Sequence, residues 1–113
     1  QIVRENLLAF MLSDPATADD AAVRYHGDNV RRTRFDSRKV SWSDTQTRDL
    51  ARIKCPLQLI WGEKDGITSR AHHDEILDAI PGARLEVVAG AGHLPTVEAP
   101  EVVVPLLTEF VDA

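Results

Sequence analysis

The sequence predicts an α/β fold: a short parallel sheet with crossover helices, preceded by a helical segment. Three observations carry that prediction. Residues 57–111 read as strand, helix, strand, helix, the order that builds a parallel sheet. Both predicted strands run into glycine-containing corners, Gly62-Glu63-Lys64-Asp65 and Gly90-Ala91-Gly92-His93. The texture of the chain also changes at Ile53-Lys54-Cys55-Pro56. Before Cys55 there are ten Lys/Arg and eight Asp/Glu, giving +2; from Cys55 onward there are three against ten, giving −7. We take this as a boundary between a helical unit, residues 1–52, and an α/β unit, residues 53–113.

The elements follow in order. Ile2, Val3, Leu7, Phe10 and Met11 form a helical stripe over residues 2–12, and Ser13-Asp14-Pro15 ends it, because a residue before proline is pushed out of the helical region. Asp19 or Asp20 caps a second helix running to about Phe35, with a thin apolar face of Ala22, Val23, Tyr25 and Val30. Residues 36–47 read as an irregular connection with one apolar patch at Val40 and Trp42, and Asp49 to Ile53 as a helical turn. Leu57 to Trp61 is a nearly continuous apolar run between Pro56 and Gly62, as expected of a buried parallel strand. Thr68 or Ser69 caps a helix with Ala71, Ile76, Leu77 and Ile80 on its apolar face, stopped by Pro81-Gly82. Arg84 to Val88 is the second strand. The last helix spans about Ala99 to Val111, with Pro100 in its first turn. Two parallel strands leave apolar faces and unpaired edges, so the sheet is expected to be incomplete without strands from a preceding segment or another chain.

Composition narrows the function classes. With 43% hydrophobic and 27% charged residues, the 113-residue chain has the make-up of one soluble globular domain at most. No apolar run is long enough for a bilayer and no signal peptide is evident, so neither a membrane nor secretion is expected. The net charge of −5 argues against nucleic acid as the main partner. The run Arg31-Arg32-Thr33-Arg34 with Arg38-Lys39 reads as a solvated face. The single Cys55 cannot form an internal disulfide; it reads as a small buried filler in a cytoplasmic protein. His72-His73 lacks metal-ligand spacing, since adjacent helical residues point about 100° apart. No metal and no cofactor are expected.

Chemistry concentrates at the strand ends. Ligands of open α/β sheets bind outside the carboxyl ends of the strands. Asp65 follows the first strand and His93 the second, 28 positions later. A carboxylate that orients an imidazole, and an imidazole that takes a proton from a nucleophile, are the working parts of nucleophilic catalysis. Histidine suits the second role because its unperturbed pKa is about 6.5.

The strings P-L-Q-L-I-W-G-E-K-D, I-P-G-A-R-L-E-V-V-A-G-A-G-H and E-A-P-E-V-V-V resemble the closing segment of α/β-hydrolases over residues 53–112. The resemblance implies that Asp65 is the acid and His93 the general base of a catalytic triad whose chain order is nucleophile, acid, histidine. Arg4-Glu5-Asn6-Leu7 through Asp14-Pro15 is more distantly similar to the helical lid of hydrolases that act on esters and on the C–C bond of ring-cleavage products. In that reading Ile67 and Leu94 line the pocket of a small-molecule substrate, Trp42 is a packing residue and a candidate for a contact between lid and pocket, and no cofactor takes part. The family's nucleophile lies in G-x-S-x-G, and here no serine stands two positions after a glycine. This chain alone is therefore expected to be inactive or nearly so. It would need the missing N-terminal half of the core, and a homo-oligomer is a further possibility. An aspartate nucleophile, as in dehalogenase-like relatives, is an alternative, and a truncated non-catalytic binding module is another.

Two positions depart from the family pattern. Ser69 stands where many relatives carry a proline. Pro105 falls inside the last helix, where it removes the bond to the Glu101 carbonyl; either the helix kinks there or it begins later. Glu98 and Glu101 are expected at the N-terminus of that helix, where negative charge is favourable. Trp61 reads as a packing residue.

Overall fold

The structure, a computed structural model, describes residues 1–41 and 45–113, with residues 45–47 described by backbone alone. Helix α1, Ile2–Asn6, continues as a wider π-helical turn over Leu7–Met11, closed by the Leu12 N–H donating to the Leu7 carbonyl at 2.8 Å. Leu12 then turns extended. The widening brings Leu7 and Leu12 into one buried cluster with Ala18, packed by Met11, Ala22, Val23 and Leu94. Asp14 accepts from the Ala16 N–H to start a 3₁₀ turn, Pro15–Thr17, and Asp19 caps α2, Asp20–Arg32, by accepting from Ala22 at 2.8 Å.

α2 stops at Arg32, short of Phe35, where the Thr33 backbone turns extended (ψ 121°), its N–H and hydroxyl both still donating to the Asn29 carbonyl. Phe35 is left exposed. The segment expected to be irregular contains two short helices, α3 (Arg38–Ser41) and α4 (Thr45–Leu50). The turn expected over Asp49 to Ile53 is the tail of α4. Cys55 is exposed rather than buried: it sits in the connecting loop, three residues before the strand.

β1 (Gln58–Gly62) and β2 (Arg84–Val88) pair in parallel, with Gln58 opposite Arg84 and Gly62 opposite Val88. α5, Arg70–Ala79, connects them; Ser69 holds its N-cap position, while the Thr68 hydroxyl is engaged elsewhere. A one-turn helix, α6 (Pro95–Glu98), precedes α7 (Pro100–Asp112), which runs through Pro105 without interruption. Val88, Ala91 and Val103 form a second buried cluster, backed by Ile60 and Ala99, so α7 packs on the sheet beside the β2 corner. Among the described residues no helix is long and apolar enough to cross a membrane.

Candidate active site

Parallel neighbours release their chains at the same sheet edge, so the two corners meet. The Glu63 N–H donates to the Val88 carbonyl at 2.9 Å, Lys64 N–H to Ala91 at 2.8 Å, and Gly90 N–H to the Glu63 carboxylate at 2.8 Å. Glycine is required at the crossing: a Cβ on Gly62 would lie 1.9 Å from the Gly92 carbonyl oxygen. Gly90, at φ 74°, turns the second corner through the left-handed region.

This stitching brings His93 Nδ1 to 3.0 Å from Asp65 Oδ2. The Asp65 side chain is only 4% exposed, the His93 side chain 30%. Asp65 is held by a shell of donors. Its Oδ1 accepts the Ile67 N–H at 2.8 Å and, more weakly, the Thr68 N–H at 3.3 Å. Its Oδ2 accepts the Thr68 hydroxyl at 2.6 Å and the Trp61 indole N–H at 2.5 Å. Burial pushes the carboxyl up, but the hydrogen bonds from Thr68, His93 and the loop amides outweigh it and hold Asp65 well below the usual carboxylate range. Asp65 is thus ionised at neutral pH. A carboxylate facing Nδ1 selects the tautomer with the proton on Nδ1, which leaves Nε2 as the basic nitrogen.

His93 and Leu94 line a cleft of about 1090 Å³ with Leu7, Met11, Leu12 and Val97. Thr17, Arg24, His26 and Asn29 also line it. A smaller cleft of about 230 Å³ meets Asp65 and His93 from the side of Trp61 and Pro95. Of the residues expected from sequence to touch substrate, Leu94 lies in the larger cleft with His93. Ile67 lines neither cleft; its amide serves Asp65 and its side chain is exposed. Trp42 lies outside the described residues.

Three side chains do more than the sequence indicated. Trp61 donates to the Asp65 carboxylate as well as packing. His73 packs against Trp61 with ring centroids 4.0 Å apart and the rings tilted by 52°, is buried, and has no hydrogen-bond partner at either ring nitrogen. Burial, then the nearby charges of Arg70 and His72, lower its pKa, so His73 is neutral. Its neighbour His72 faces Glu75 at 3.7 Å. Glu98 does not serve the N-terminus of α7: its carboxylate accepts the backbone N–H groups of Ser13, Asp14 and Gly92. No apolar period or motif marks such a contact, which spans about 85 positions of chain. Among the described residues no three His, Cys, Asp or Glu side chains gather as a metal site would need.

The sequence profile of the alpha/beta hydrolase family matches residues 3–106. Monoacylglycerol lipase ABHD6 of Bos taurus is 31% identical over 74 residues, 66% of this chain and 21% of the lipase. The uncharacterized protein Rv2715 of Mycobacterium tuberculosis is 35% identical over 57 residues, 50% of this chain and 17% of that protein. The chain therefore spans about a fifth of the length of these relatives. A crystal structure described as a predicted CIB-like hydrolase from Thermoplasma acidophilum superposes with a TM-score of 0.57 at 34% identity, covering 62% of this chain and 34% of that one. A profile match across nearly the whole chain, on a parallel sheet whose two corners bring a carboxylate and an imidazole together, places this chain in the alpha/beta hydrolase family.

Proposed function

We propose that this chain supplies the acid and the base of a Ser-His-Asp triad that hydrolyses a small ester, or the C–C bond of a diketone-type substrate. The observation that carries the reading is the 3.0 Å contact between His93 Nδ1 and an ionised, nearly buried Asp65. The nucleophile comes from a G-x-S-x-G segment outside these residues. Its hydroxyl attacks the carbonyl carbon while His93 Nε2 takes the proton, and the protonated imidazole is stabilised by Asp65. The tetrahedral intermediate collapses as His93 hands that proton to the leaving group. Water, activated by the same nitrogen, then releases the acyl group and regenerates the serine. The N-terminal helices act as a lid over the cleft, and no cofactor takes part. The ester reading is favoured by the apolar side chains around His93 (Leu7, Met11, Leu12, Leu94, Val97) and by the lipase among the relatives.

The test is steady-state hydrolysis of p-nitrophenyl esters of graded acyl length by the protein that contains this chain and its elbow segment. His93→Ala is expected to lower kcat on the order of 10⁴-fold or more with folding intact. An unchanged rate overturns the reading. Halide release from a haloalkane, with no esterase activity, would point instead to an aspartate nucleophile.

A further inference from the structure

We infer that Glu98 is a positioning residue: a single carboxylate clamps the end of the N-terminal helix to the loop that carries His93, so that the two move as one body. Its Oε1 accepts the N–H of Ser13 at 2.6 Å and of Asp14 at 2.8 Å, and its Oε2 accepts the N–H of Gly92 at 2.5 Å. The Ser13 hydroxyl lies 2.9 Å from the same Oε1 and 2.5 Å from the Gly90 carbonyl; its one proton serves either acceptor and draws both together. The Leu94 N–H donates to the Met11 carbonyl at 3.2 Å. Residues 11–14 are thereby tied to residues 90–94 on both sides of His93. The packing is equally close: a Cβ on Gly92 would lie 3.0 Å from the Glu98 carboxylate, the Met11 carbonyl and the Ser13 nitrogen alike.

The chemistry of the clamp calls for a carboxylate. Each of its oxygens accepts from backbone amides, so its charge rests on peptide dipoles. Burial raises the carboxyl, the amides of Asp14, Gly92 and Ser13 outweigh that, and Glu98 stays ionised. A glutamine amide cannot replace it: its oxygen can accept on one side, but its NH₂ must then face an N–H on the other. Gly92 immediately precedes His93, so loss of that anchor frees the peptide that sets the imidazole against Asp65. The His93–Asp65 contact at 3.0 Å has only about 0.5 Å of slack before it ceases to be a hydrogen bond. The site geometry thus depends on the seating of the N-terminal helices, because one side chain holds both.

The kinetic consequence rests on the hydrolase reading, whereas the structural one does not. The experiment uses Glu98→Gln in the whole protein, with thermal melting to establish that it folds. Two readouts need no substrate: the downfield Nδ1–H proton resonance of His93, and hydrogen exchange at the Ser13, Asp14 and Gly92 amides. We expect the resonance to broaden or move upfield. Exchange at Gly92 or at the Ser13–Asp14 pair is expected to speed up at least tenfold. In the kinetic arm kcat falls about 10- to 100-fold, the cost of misplacing a reacting group by about 1 Å, while KM changes little. An unchanged resonance with unchanged exchange overturns the inference, as does an unchanged kcat in an active wild type. Should Glu98→Gln fail to fold, Glu98→Asp takes its place: it keeps the charge but is one methylene too short to hold both segments, and the same readouts apply. A wild type with no hydrolase activity sinks the hydrolysis reading alone, since the resonance and the exchange rates test the clamp without it.

Discussion

Among single residues, the Asp65 carboxylate is supported from behind by a side chain that pays for its place. His73 is 6% exposed and leaves both ring nitrogens unpaired, yet its ring packs on Trp61, whose indole N–H holds Asp65. Protonating His73 would put an unpaired charge in that interior. Its folded pKa lies below the ordinary 6.5, so its effect on stability is absent above about pH 6.5 and destabilises progressively as pH falls below that value. Asp65 acts in the same direction but lower: its folded pKa is depressed from 3.8, so the stability it contributes is full above that value and is lost as pH falls beneath it. Melting temperature is therefore expected to be flat above pH 7 and to fall in two stages. His73→Phe keeps the ring packing on Trp61 and should remove the upper stage only. By eliminating two unsatisfied buried nitrogens it should also add about 1 kcal/mol at pH 7. Thermal melts of both proteins from pH 8 to pH 3 decide this; parallel curves would mean that His73 is not the titrating group.

For helices and strands, what could be read from sequence was whatever carried a period or a stop signal. β2 lies where the run Arg84 to Val88 placed it, and β1 begins one residue late and takes in Gly62. α1 together with its π-helical continuation, α2, α5 and α7 carry apolar stripes bounded by proline, glycine or an aspartate cap. α3, α4 and α6 have 4–6 residues each, too few for a stripe to repeat. Asp65 and His93 were legible because strand ends and glycine corners fix their place in sequence. The roles of Glu98 and Trp61 were not, since both depend on where distant backbone falls. Pro105 left two alternatives, and the helix does begin at Pro100 and pass through it. Pro105 and Glu101 are both exposed, so the carbonyl that lost its partner can bond to water, which softens the penalty. Pro105→Ala restores the N–H and is expected to stabilise the protein by about 1–3 kcal/mol, visible as a raised melting temperature. No gain, or a loss, would show that the helix depends on the rigidity proline lends the unfolded chain.

For the molecule taken whole, the surface is too large for the mass. The chain of 12.5 kDa exposes 8268 Å², against roughly 6200 Å² for a compact monomer of that size. Its radius of gyration is 15.6 Å, where about 13 Å is usual for this length. The excess is partly apolar. Val87 on β2 is 48% exposed, although parallel strands are normally covered on both faces, and Val102, Val104, Leu107 and Val111 of α7 are exposed too. Among the described residues the sheet has two strands, so each also offers an edge of unpaired backbone groups. A surface of this kind calls for more sheet, and in its absence a second copy is the nearest substitute. The 113-residue chain expressed alone is therefore expected to self-associate, whereas a longer protein that adds the remaining strands should not do so through this face. Light scattering behind a sizing column distinguishes them at concentrations around 100 μM, where contacts of micromolar affinity are populated. Val87→Lys, which puts a charge on the uncovered sheet face, should shift the short chain toward monomer. A short chain that is monomeric and melts cooperatively would show that two strands and the N-terminal helices suffice as a folding unit, and the 113 residues would then have to be weighed as a binding module in their own right.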